Sequence, residues 1–475
     1  MALRQTKIVA TLGPATDSDR EMRRLIEKGL NMARVNFSHG DSDGHKQRIA
    51  LVRQHARQLR VPVSVLADLQ GPKIRITRFE DDKIFLVEGE TFELDVEMDE
   101  LAGTQQRVGV TYKDLPKDVK LGDILIVDDG NIVLRVTEVL DPVIKTEVLV
   151  GGELSNSKGI NQQGGGLTAE SLTPKDHQDI RVAGELDVDY LAVSFVRSAV
   201  DVNFARELLR ATGCKGGIVS KIERVEAVEN FDEIVEASDG VMIARGDLAV
   251  EIGDAQLPGV QKRLIKRARE ENRFVITATQ MMTSMITSAT PTRAEVLDVA
   301  NAVLDGTDAI MLSQESAVGR HPAKVVAAVD RICRGSELHD SGIGSIEPVT
   351  DQCSTVEEAI ARATMYTARH FDVAAILALT ESGSTAKWLS QSVSGIPIFA
   401  VTPHASTQRR VTAFRGVHPV SFTMDEKSPL PIEHQAAQMF VERKIIKKSG
   451  KLLVTRGDET GVEGGTNTMK IISVL

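Results

Sequence analysis

The sequence predicts an α/β protein: a (β/α)8 TIM barrel with an antiparallel β-barrel lid domain inserted into it and a doubly wound α/β domain after it. Eight short apolar runs occur in the first 320 or so residues, amphipathic stretches separate most of them, and the pattern changes at two places. Only 4% of the 475 residues are aromatic, which suits parallel strands that bury small branched side chains on both faces. An open doubly wound sheet is the alternative, but no Gly-x-Gly-x-x-Gly follows an early strand.

The eight apolar runs are the predicted barrel strands, because each is five to seven residues long and ends in polar or glycine-bearing sequence. Helical stretches such as 17–28, 45–59 and 200–211 lie between them. In chain order the predicted strands are 7–11, 32–36, 63–69, 190–196, 217–222, 240–244, 274–279 and 309–313.

The changes of pattern divide the chain into three predicted domains. Residues 1–71 and 167–344 form the barrel, and residues 72–166 form a lid of short alternating β segments, with a hairpin turn at Asp129-Gly130. Inserted after the third strand, this lid would cover the C-terminal mouth of the barrel. Residues 345–475 alternate helix and strand without paired carboxylates or a histidine cluster, so no chemistry is expected there.

Composition excludes several classes of protein. A formal net charge of -10 argues against a dedicated nucleic-acid binder. The three cysteines form no metal or disulfide pattern, the first residues are too polar for a signal peptide, and no apolar run approaches the ~20 residues that span a bilayer. We therefore expect a cytoplasmic protein with neither nucleic acid nor a membrane as partner.

Charged and hydroxyl groups follow six of the predicted strands. Since the C-terminal ends of barrel strands meet at one mouth, these groups are expected to converge there. In strand order they are Arg34, Asn36, Ser38 and His39; Asp68, Lys73 and Arg75; Lys221 and Glu223; Arg245, Gly246 and Asp247; Thr279 and Gln280; and Ser313 and Glu315.

Glu223 and Asp247 are the sharpest pair in this set, because two carboxylates on neighbouring strand ends can chelate Mg²⁺. Gly246 would let its backbone approach an anionic ligand closely. The competing interpretation is a salt-bridged rim, with Glu223 paired to Arg224 or Arg245. Spacing alone does not decide between the two.

The other polar groups each have a catalytic and a structural interpretation. Lys221 shares a strand face with Glu223, so its ammonium could balance charge on a transferring phosphoryl group, or it could be a rim lysine. Arg34 and Arg75 could bind phosphate. His39 is interpreted as a turn residue rather than a base, whereas Thr279 and Ser313 could position a proton or cap helices.

Five segments, "TKIVATLGPAT", "NMARVNFSHG", "ADLQGPKIRI", "GVMIARGDLAVE" and "TATQMM", closely resemble pyruvate kinase of the bacterial type. The resemblance runs to the closing "TNTMKII" and is nearest to the type II group that monophosphates activate. It implies Mg²⁺-dependent phosphoryl transfer from phosphoenolpyruvate to ADP, giving pyruvate and ATP in the last step of glycolysis. It also implies a homotetramer.

The resemblance assigns roles to the residues of the mouth. Arg34 would bind the substrate phosphate and Lys221 would stabilise the phosphoryl in flight. Glu223 and Asp247 would hold Mg²⁺, for which Mn²⁺ can substitute. The remaining implied roles are substrate carboxylate binding by Gly246, Asp247 and Thr279; nucleotide binding by Asn36, His39, Arg75 and Lys158; a K⁺ site at Asn36, Ser38, Asp68 and Leu69; and a proton relay through Ser313.

Two departures concern the potassium site. Lys73 stands where many potassium-dependent members carry Glu, and Leu69 stands where they carry Thr. An ammonium beside Asp68 could supply the charge that K⁺ otherwise gives, so we expect K⁺ to be dispensable. Ala249, where many members have Gly, is expected to have a small effect.

The loop "LTESGSTAKW" resembles the effector loop of the family. Its backbone N–H groups and hydroxyls could cradle a phosphate, or it could be an ordinary helix N-cap loop. Glu381 replaces a Lys of members that a sugar bisphosphate activates, so a sugar monophosphate or AMP is favoured over fructose bisphosphate. The residues expected to bind the effector are Thr380, Ser382, Gly383, Ser384 and Thr385.

Two other functions compete with this one. A Mg²⁺-dependent barrel lyase or aldolase acting on 2-oxo acids would use the same carboxylates, but it gives no reason for the lid or for two phosphate-binding arginines. An adhesion protein would use the Arg-Gly-Asp triplets at 245–247 and 456–458, yet such triplets belong on exposed loops of secreted proteins.

Overall fold

A computed structural model describes residues 3–338, 352–392, 394–447, 450–458 and 464–474. The chain begins with three barrel strands whose residues are buried, except for the half-buried Asn36 at a strand end. Ser18 and Asp41 cap the helices between them by accepting bonds from the first-turn amides. These elements are β1 (Lys7–Thr11), α1 (Asp19–Glu27), β2 (Met32–Asn36), α2 (Ser42–Leu59) and β3 (Ser64–Asp68), with a 3-10 turn at Pro14–Thr16.

The inserted segment forms a β domain, as the alternating pattern predicts. Six strands pair in the order β11-β7-β8-β9-β5-β6, and β10 pairs with β4. The predicted hairpin is confirmed, because β7 and β8 are antiparallel and a 3-10 turn at Asp128–Gly130 joins them. Its elements are β4 (Lys83–Leu86), β5 (Thr91–Asp95), β6 (Arg107–Gly109), α3 (Leu115–Asp118), β7 (Ile124–Val127), β8 (Ile132–Leu140), β9 (Val143–Val150), β10 (Gly152–Ser155) and β11 (Ile160–Gln162).

The barrel resumes with five more strands and their helices. Thr173 and Thr292 begin two of the helices with capping boxes, and Pro174 and Pro322 are the first residues of two helices. The elements are α4 (Pro174–Glu185), β12 (Tyr190–Val193), α5 (Ala199–Ala211), β13 (Gly217–Ile222), α6 (Val225–Glu229), α7 (Phe231–Ala237), β14 (Gly240–Ala244), α8 (Arg245–Ile252), α9 (Leu257–Glu270), β15 (Phe274–Ala278), a 3-10 turn (Thr283–Ile286), α10 (Arg293–Leu304), β16 (Ala309–Leu312), α11 (Gln314–Ala317) and α12 (Pro322–Leu338).

The eight parallel strands close into a barrel in the order β1-β16-β15-β14-β13-β12-β3-β2. The predicted TIM barrel is therefore confirmed, and the open doubly wound sheet is excluded. Side chains such as Met32, Leu66, Met242 and Ile276 fill the interior. Because all eight strands are parallel, their C-terminal ends open on one side, and the polar residues that follow them meet there.

The last part of the chain is a five-stranded α/β layer in the order β19-β18-β17-β20-β21, parallel except for β21. This agrees with the predicted C-terminal α/β domain. Its elements are α13 (Val356–His370), β17 (Ala375–Leu379), α14 (Ser384–Ser390), β18 (Ile398–Thr402), α15 (Ala405–Arg410), a 3-10 turn (Val411–Ala413), β19 (Val417–Ser421), α16 (Ile432–Glu442), β20 (Lys451–Gly457) and β21 (Thr466–Ser473).

The residue limits assigned to the three domains remain predictions. The lid strands run from Lys83 to Gln162, inside the segment assigned to the lid. The boundary predicted between 344 and 345 lies outside the described residues. Within the described residues, no helix has both the length and the apolar character needed to cross a membrane.

Candidate active site at the barrel mouth

A cavity of about 640 Å³ lies between the barrel mouth and the lid. On the barrel side it is lined by residues that follow β14, β15 and β16, and on the lid side by the hairpin between β7 and β8. The cavity therefore has the polar strand ends as its floor. The lining residues that matter below are Lys73, Asp129, Gly130, Gly246, Asp247, Thr279 and Ser313.

Lys221 lies at the centre of a buried polar network beside this cavity. Its Nζ is 2.9 Å from Glu223 Oε1 and 3.4 Å from Asp68 Oδ1, and it donates to Ser194 Oγ at 2.6 Å. Asp68 is fully buried, and its Oδ2 accepts a bond of 2.5 Å from Arg34 Nε. Arg34 also donates from Nη1 to Thr11 Oγ1 at 2.9 Å. The structure thus brings Arg34, Asp68, Lys221 and Glu223 together.

Burial and ion pairing compete in setting the charges of this network. Burial raises the pKa of Asp68, but Arg34 and then Lys221 outweigh it and hold that pKa below its ordinary value. Burial lowers the pKa of Lys221, but Asp68 and Glu223 outweigh it and raise the pKa overall. Lys221 and Asp68 therefore both stay charged at neutral pH.

Glu223 does not form the arginine pairs that the salt-bridge interpretation requires. Arg224 donates to the Leu167 carbonyl at 3.0 Å, and Arg245 makes a two-pronged pair with Asp298, at 2.7 Å to each oxygen. Glu223 instead accepts from Lys221 and from the backbone N–H of Phe195, at 2.8 Å. Burial and the charge of Asp247 raise the pKa of Glu223, and together they outweigh Lys221, which lowers it. The effect of Asp247 indicates that the carboxylates of Glu223 and Asp247 lie close enough to interact.

Lys73 lies against Asp247, not against Asp68 as the sequence suggested. Its Nζ is 3.0 Å from Asp247 Oδ1, with the two side chains 26% and 20% exposed. The ammonium beside Asp68 is that of Lys221. Lys73 is placed in this way because the chain turns at Gly71, which has a φ of +66° and packs on Ser194, before it enters the lid.

Thr279 and Gly246 form a second contact at the mouth. The amide of Gly246 donates to Thr279 Oγ1 at 2.8 Å, and Thr279 has a φ of +69°, which is unusual for a β-branched residue. Arg245 holds this conformation by donating to the carbonyl oxygens of Thr279, at 2.7 Å, and Ala278, at 3.2 Å. Arg245 is thus a buried positioning residue rather than part of an exposed adhesive triplet.

Ser313 and Glu315 end the last barrel strand. Glu315 is buried, and its carboxylate accepts from the Ser313 amide at 2.7 Å and from the Met282 amide at 3.1 Å. This ties the ends of β15 and β16 together. Ser313 lines the cavity and also begins α11 as its N-cap residue, without a side-chain capping bond. The capping interpretation therefore does not account for its hydroxyl.

The four residues expected at the potassium site lie next to one another. Asn36 and Asp68 are paired in register on β2 and β3, and Asn36 Oδ1 accepts from the Ser38 amide at 3.1 Å. The Leu69 carbonyl accepts from Ser194 Oγ at 2.7 Å. Asn36 Oδ1, the Leu69 carbonyl and Asp68 Oδ2 therefore already have protein donors. Asp68 Oδ1 is buried without a hydrogen bond to any described residue, and the Lys221 ammonium lies 3.4 Å from it.

The residues expected to contact the nucleotide are less closely grouped. Arg75 donates to the Ser157 carbonyl at 2.8 Å, and Lys158 pairs with Asp128 at 2.7 Å, so both are held within the lid. His39 is exposed, and its amide donates to the Asn36 carbonyl in a turn. No contact between described residues joins the His39 side chain to Arg75 or Lys158.

The predicted effector loop lines a second cavity, of about 120 Å³, in the C-terminal layer. Thr380 Oγ1 accepts from the Gly383 amide at 2.9 Å. Ser384 and Thr385 donate from their hydroxyls to the buried carboxylate of Glu357, at 2.7 and 2.9 Å. Glu357 and Arg456 also line the cavity. Arg456 belongs to the second Arg-Gly-Asp triplet, which therefore lies beside this loop at the end of β20.

Sequence reasoning missed Thr11 and Ser194 at the mouth and Glu357 and Arg456 at the effector loop. Thr11 ends β1 and Ser194 follows β12, so a survey of all eight strand ends, rather than six, would have found both. Glu357 is on α13, far in sequence from the loop it touches, and gave no local signal.

Two family descriptions match the chain, one over the barrel and its insertion and the other over the C-terminal layer. The family described as "Pyruvate kinase, barrel domain" matches residues 3–326, and "Pyruvate kinase, alpha/beta domain" matches residues 358–472. The chain belongs to the pyruvate kinase family. It is 50% identical to Pyruvate kinase II of Salmonella typhimurium, with 99% of each chain covered. It is 48% identical to pyruvate kinase of Haemophilus influenzae over 99% of each chain, and 38% identical to that of Thermotoga maritima over 99% of this chain and all of that one.

Membership of the pyruvate kinase family confirms that the chain is a phosphotransferase and that its reaction is the phosphoryl transfer of glycolysis. The lyase alternative has no support among these relatives. Dependence on Mg²⁺ and K⁺ and the use of phosphoenolpyruvate and ADP are general in this family.

Proposed function

We propose that the barrel mouth moves a phosphoryl group from phosphoenolpyruvate to ADP, with Lys221 as the residue that stabilises the group in flight. One observation carries this proposal: a buried ammonium is held by Asp68, Glu223 and Ser194 at the end of a barrel strand. A fixed cation in a buried site stabilises developing negative charge without reorganising. Phosphoryl transfer depends mainly on such positioning and charge.

Arg34 is the proposed ligand of the substrate phosphate. Its Nε and Nη1 are used by Asp68 and Thr11, so the orientation of the guanidinium is fixed. Its Nη2 has no partner among the described residues and remains for an oxygen of the substrate. Gly246, Asp247 and Thr279 are the proposed surroundings of the substrate carboxylate.

Glu223 and Asp247 are the proposed ligands of Mg²⁺ or Mn²⁺. The fit is supported by their mutual charge interaction and by oxygen donors of the kind these ions prefer. No group of three or more candidate ligands occurs among the described side chains, which suits an ion that takes its other ligands from substrate and water. When bound, the ion would neutralise charge on the phosphoryl oxygens. Lys221 and Lys73 hold the two carboxylates in place.

Ser313 is proposed to belong to the relay that protonates the enolpyruvate. Its hydroxyl borders the cavity, and Glu315 fixes its backbone. ADP is proposed to bind between Asn36, His39 and Arg75 on the barrel side and Lys158 on the lid. Since Lys158 now pairs with Asp128, nucleotide binding would require it to exchange that partner for a phosphate.

We propose that K⁺ is dispensable, for a different physical reason from the one that the sequence suggested. Arg34 donates to Asp68 Oδ2, and the Lys221 ammonium lies 3.4 Å from Asp68 Oδ1. Ser194 donates to the Leu69 carbonyl, and Lys73 supplies a fixed positive charge at Asp247 instead of at Asp68. A full rate of pyruvate formation in potassium-free buffer is the expected result. A loss of more than about tenfold, which corresponds to ~1.4 kcal/mol, would contradict it.

The effector is proposed to be a phosphate monoester, a sugar monophosphate or AMP, held by Thr380, Ser382, Gly383, Ser384 and Thr385. Glu357 and Glu381 place two carboxylates at this cavity, and Arg456 is the single cation among its described lining residues. A bisphosphate would bring more negative charge than that arrangement favours. A homotetramer in the cytoplasm is proposed as for the family.

Replacing Lys221 tests the proposed mechanism. We expect Lys221→Gln to lower kcat for pyruvate formation from phosphoenolpyruvate and MgADP by about 10²–10³-fold, the effect typical of removing one electrostatic stabiliser, with a small change in KM. Lys215→Gln is the matched control, because Lys215 is an exposed lysine six residues away. Both variants are first compared with the parent by thermal unfolding. A folded Lys221→Gln enzyme that keeps more than about a tenth of the rate would refute the role.

A further inference from the structure

A third cavity, of about 150 Å³, lies at the opposite end of the barrel from the mouth. Its barrel side contains Tyr190, Gly217 and Phe274, the first residues of β12, β13 and β15. Its other side is the back of the effector loop, with Lys387 on α14 and Arg410 at the end of α15. The cavity thus lies between the floor of the barrel and the C-terminal layer.

The charges around this cavity are not balanced within the described chain. The ammonium of Lys387 has neither an ion pair nor a hydrogen bond to any described residue. Arg410 uses one N–H on the Ser382 carbonyl, at 3.4 Å. Asp239 is the one carboxylate among the lining residues, and it is already bound by Arg206 at 2.7 Å and by the Ile218 amide at 2.8 Å. Two cations therefore face a space whose acid has other partners.

The lowered pKa of Lys387 also favours an anion beside its ammonium. Burial, and then the charge of Arg273, lower the pKa of Lys387 to about 8, although Asp239 and Glu357 act in the opposite direction. A buried ammonium with a lowered pKa is destabilised by its surroundings, and an anion placed beside it would offset that cost.

We propose that this cavity binds a compact oxyanion of the size and charge of inorganic phosphate, through Lys387 and Arg410. Its two cations, Lys387 and Arg410, match the charge of a single phosphate ion. The site differs from the proposed effector cavity in its cations, Lys387 and Arg410 instead of Arg456, although Ser382 lines both cavities and Gly383 and Ser384 of the effector loop line this one. An ion there would link the effector loop to the barrel floor, where Tyr190 already donates to the Arg410 carbonyl at 2.9 Å.

Binding of inorganic phosphate by calorimetry, in magnesium-free buffer at constant ionic strength, tests the proposal. We expect Lys387→Gln and Arg410→Gln each to weaken binding by about tenfold, as for loss of one charge-assisted contact. Two controls remove cations from the other phosphate-binding candidates: Arg456→Gln in the effector cavity and Arg34→Gln at the mouth. Both should bind phosphate within about twofold of the parent at this site.

Two results would overturn the assignment. If binding is lost in Arg456→Gln or Arg34→Gln and kept in Lys387→Gln, the phosphate belongs to one of the other cavities. If all four variants and the parent show the same weak, unsaturable heat, phosphate is an adventitious ion only.

A measurement on the unsubstituted enzyme keeps the proposal testable if a variant fails to fold. Phosphate should slow the acylation of Lys387 by a limiting amount of acetic anhydride, measured by peptide mass spectrometry. Lys215, which is exposed and outside the cavity, should be acylated at an unchanged rate. Equal acylation of Lys387 with and without phosphate would refute the site.

Discussion

The pair formed by Lys73 and Asp247 gives a direct test of the proposal that this enzyme does not need potassium. Lys73→Gln removes the ammonium and keeps a side chain of similar length that can still donate a hydrogen bond. The two atoms are 3.0 Å apart and both side chains are about three-quarters covered, so the pair is neither a surface bridge nor fully buried. A hydrogen bond to a charged group contributes ~1.5–3 kcal/mol in such settings.

If that contribution is made in the transition state, the rate without KCl should fall by about 10- to 100-fold, because each ~1.4 kcal/mol is tenfold. Added KCl should then restore much of the loss, since a monovalent cation can supply the missing charge. The assay is the initial rate of pyruvate formation in potassium-free buffer with and without KCl. Lys83→Gln is the control, because Lys83 makes a similar pair with Glu153 on the outer surface of the lid.

Two outcomes would refute this reasoning. An equal fall with and without KCl would mean that Lys73 only orders Asp247 and does not stand in for a cation. An unchanged rate in potassium-free buffer would mean that the charge at position 73 does not contribute, and the proposed independence from potassium would then rest on Arg34 and Lys221.

Two further predictions concern Glu251 on α8 and the effector cavity. Glu251 is buried against the Val225 amide, and burial raises its pKa to about 7. Because the folded state then binds the proton of Glu251 more tightly than the unfolded chain does, the free energy of unfolding falls as pH rises from about 4.5 to 7. Glu251→Gln should therefore raise the free energy of unfolding by at most about 3 kcal/mol above pH 7 and by little near pH 4.5, in urea titrations; an equal gain at both pH values would contradict the role of ionisation. Arg456→Gln should raise the half-activating concentration of a sugar monophosphate or AMP by about tenfold, in titrations against phosphoenolpyruvate saturation curves, and stronger activation of the parent enzyme by fructose bisphosphate would contradict the monoester proposal.

The barrel could be predicted from sequence because its strands are buried along their whole length. All eight observed strands overlap the predicted runs, and the differences are confined to their ends, as at Ser64 and Val193. The polar residues after the strands were found for the same reason, since a parallel barrel has a single mouth. Fold and position of the site are thus both consequences of where apolar runs stop.

The pairing of charges at the mouth could not be predicted in the same way. Strand order places Arg34, Asp68 and Lys221 near one another, but it does not say which oxygen each cation takes. Lys73 follows a turn into the lid, and its contact with Asp247 spans 174 positions. Arg245 pairs with Asp298, which lies on a helix 53 residues further along the chain. Such contacts depend on loop geometry, for which the sequence carries no periodic signal.

The network of six ion-paired side chains that results from these pairings is balanced in charge before any ligand binds. Asp68, Glu223 and Asp247 contribute three negative charges, and Arg34, Lys73 and Lys221 contribute three positive ones. Glutamate at position 73, as in many potassium-dependent members, would leave four carboxylates against two cations, an excess of two negative charges. A monovalent cation reduces such an excess, which explains in physical terms why the requirement for potassium should follow the residue at position 73.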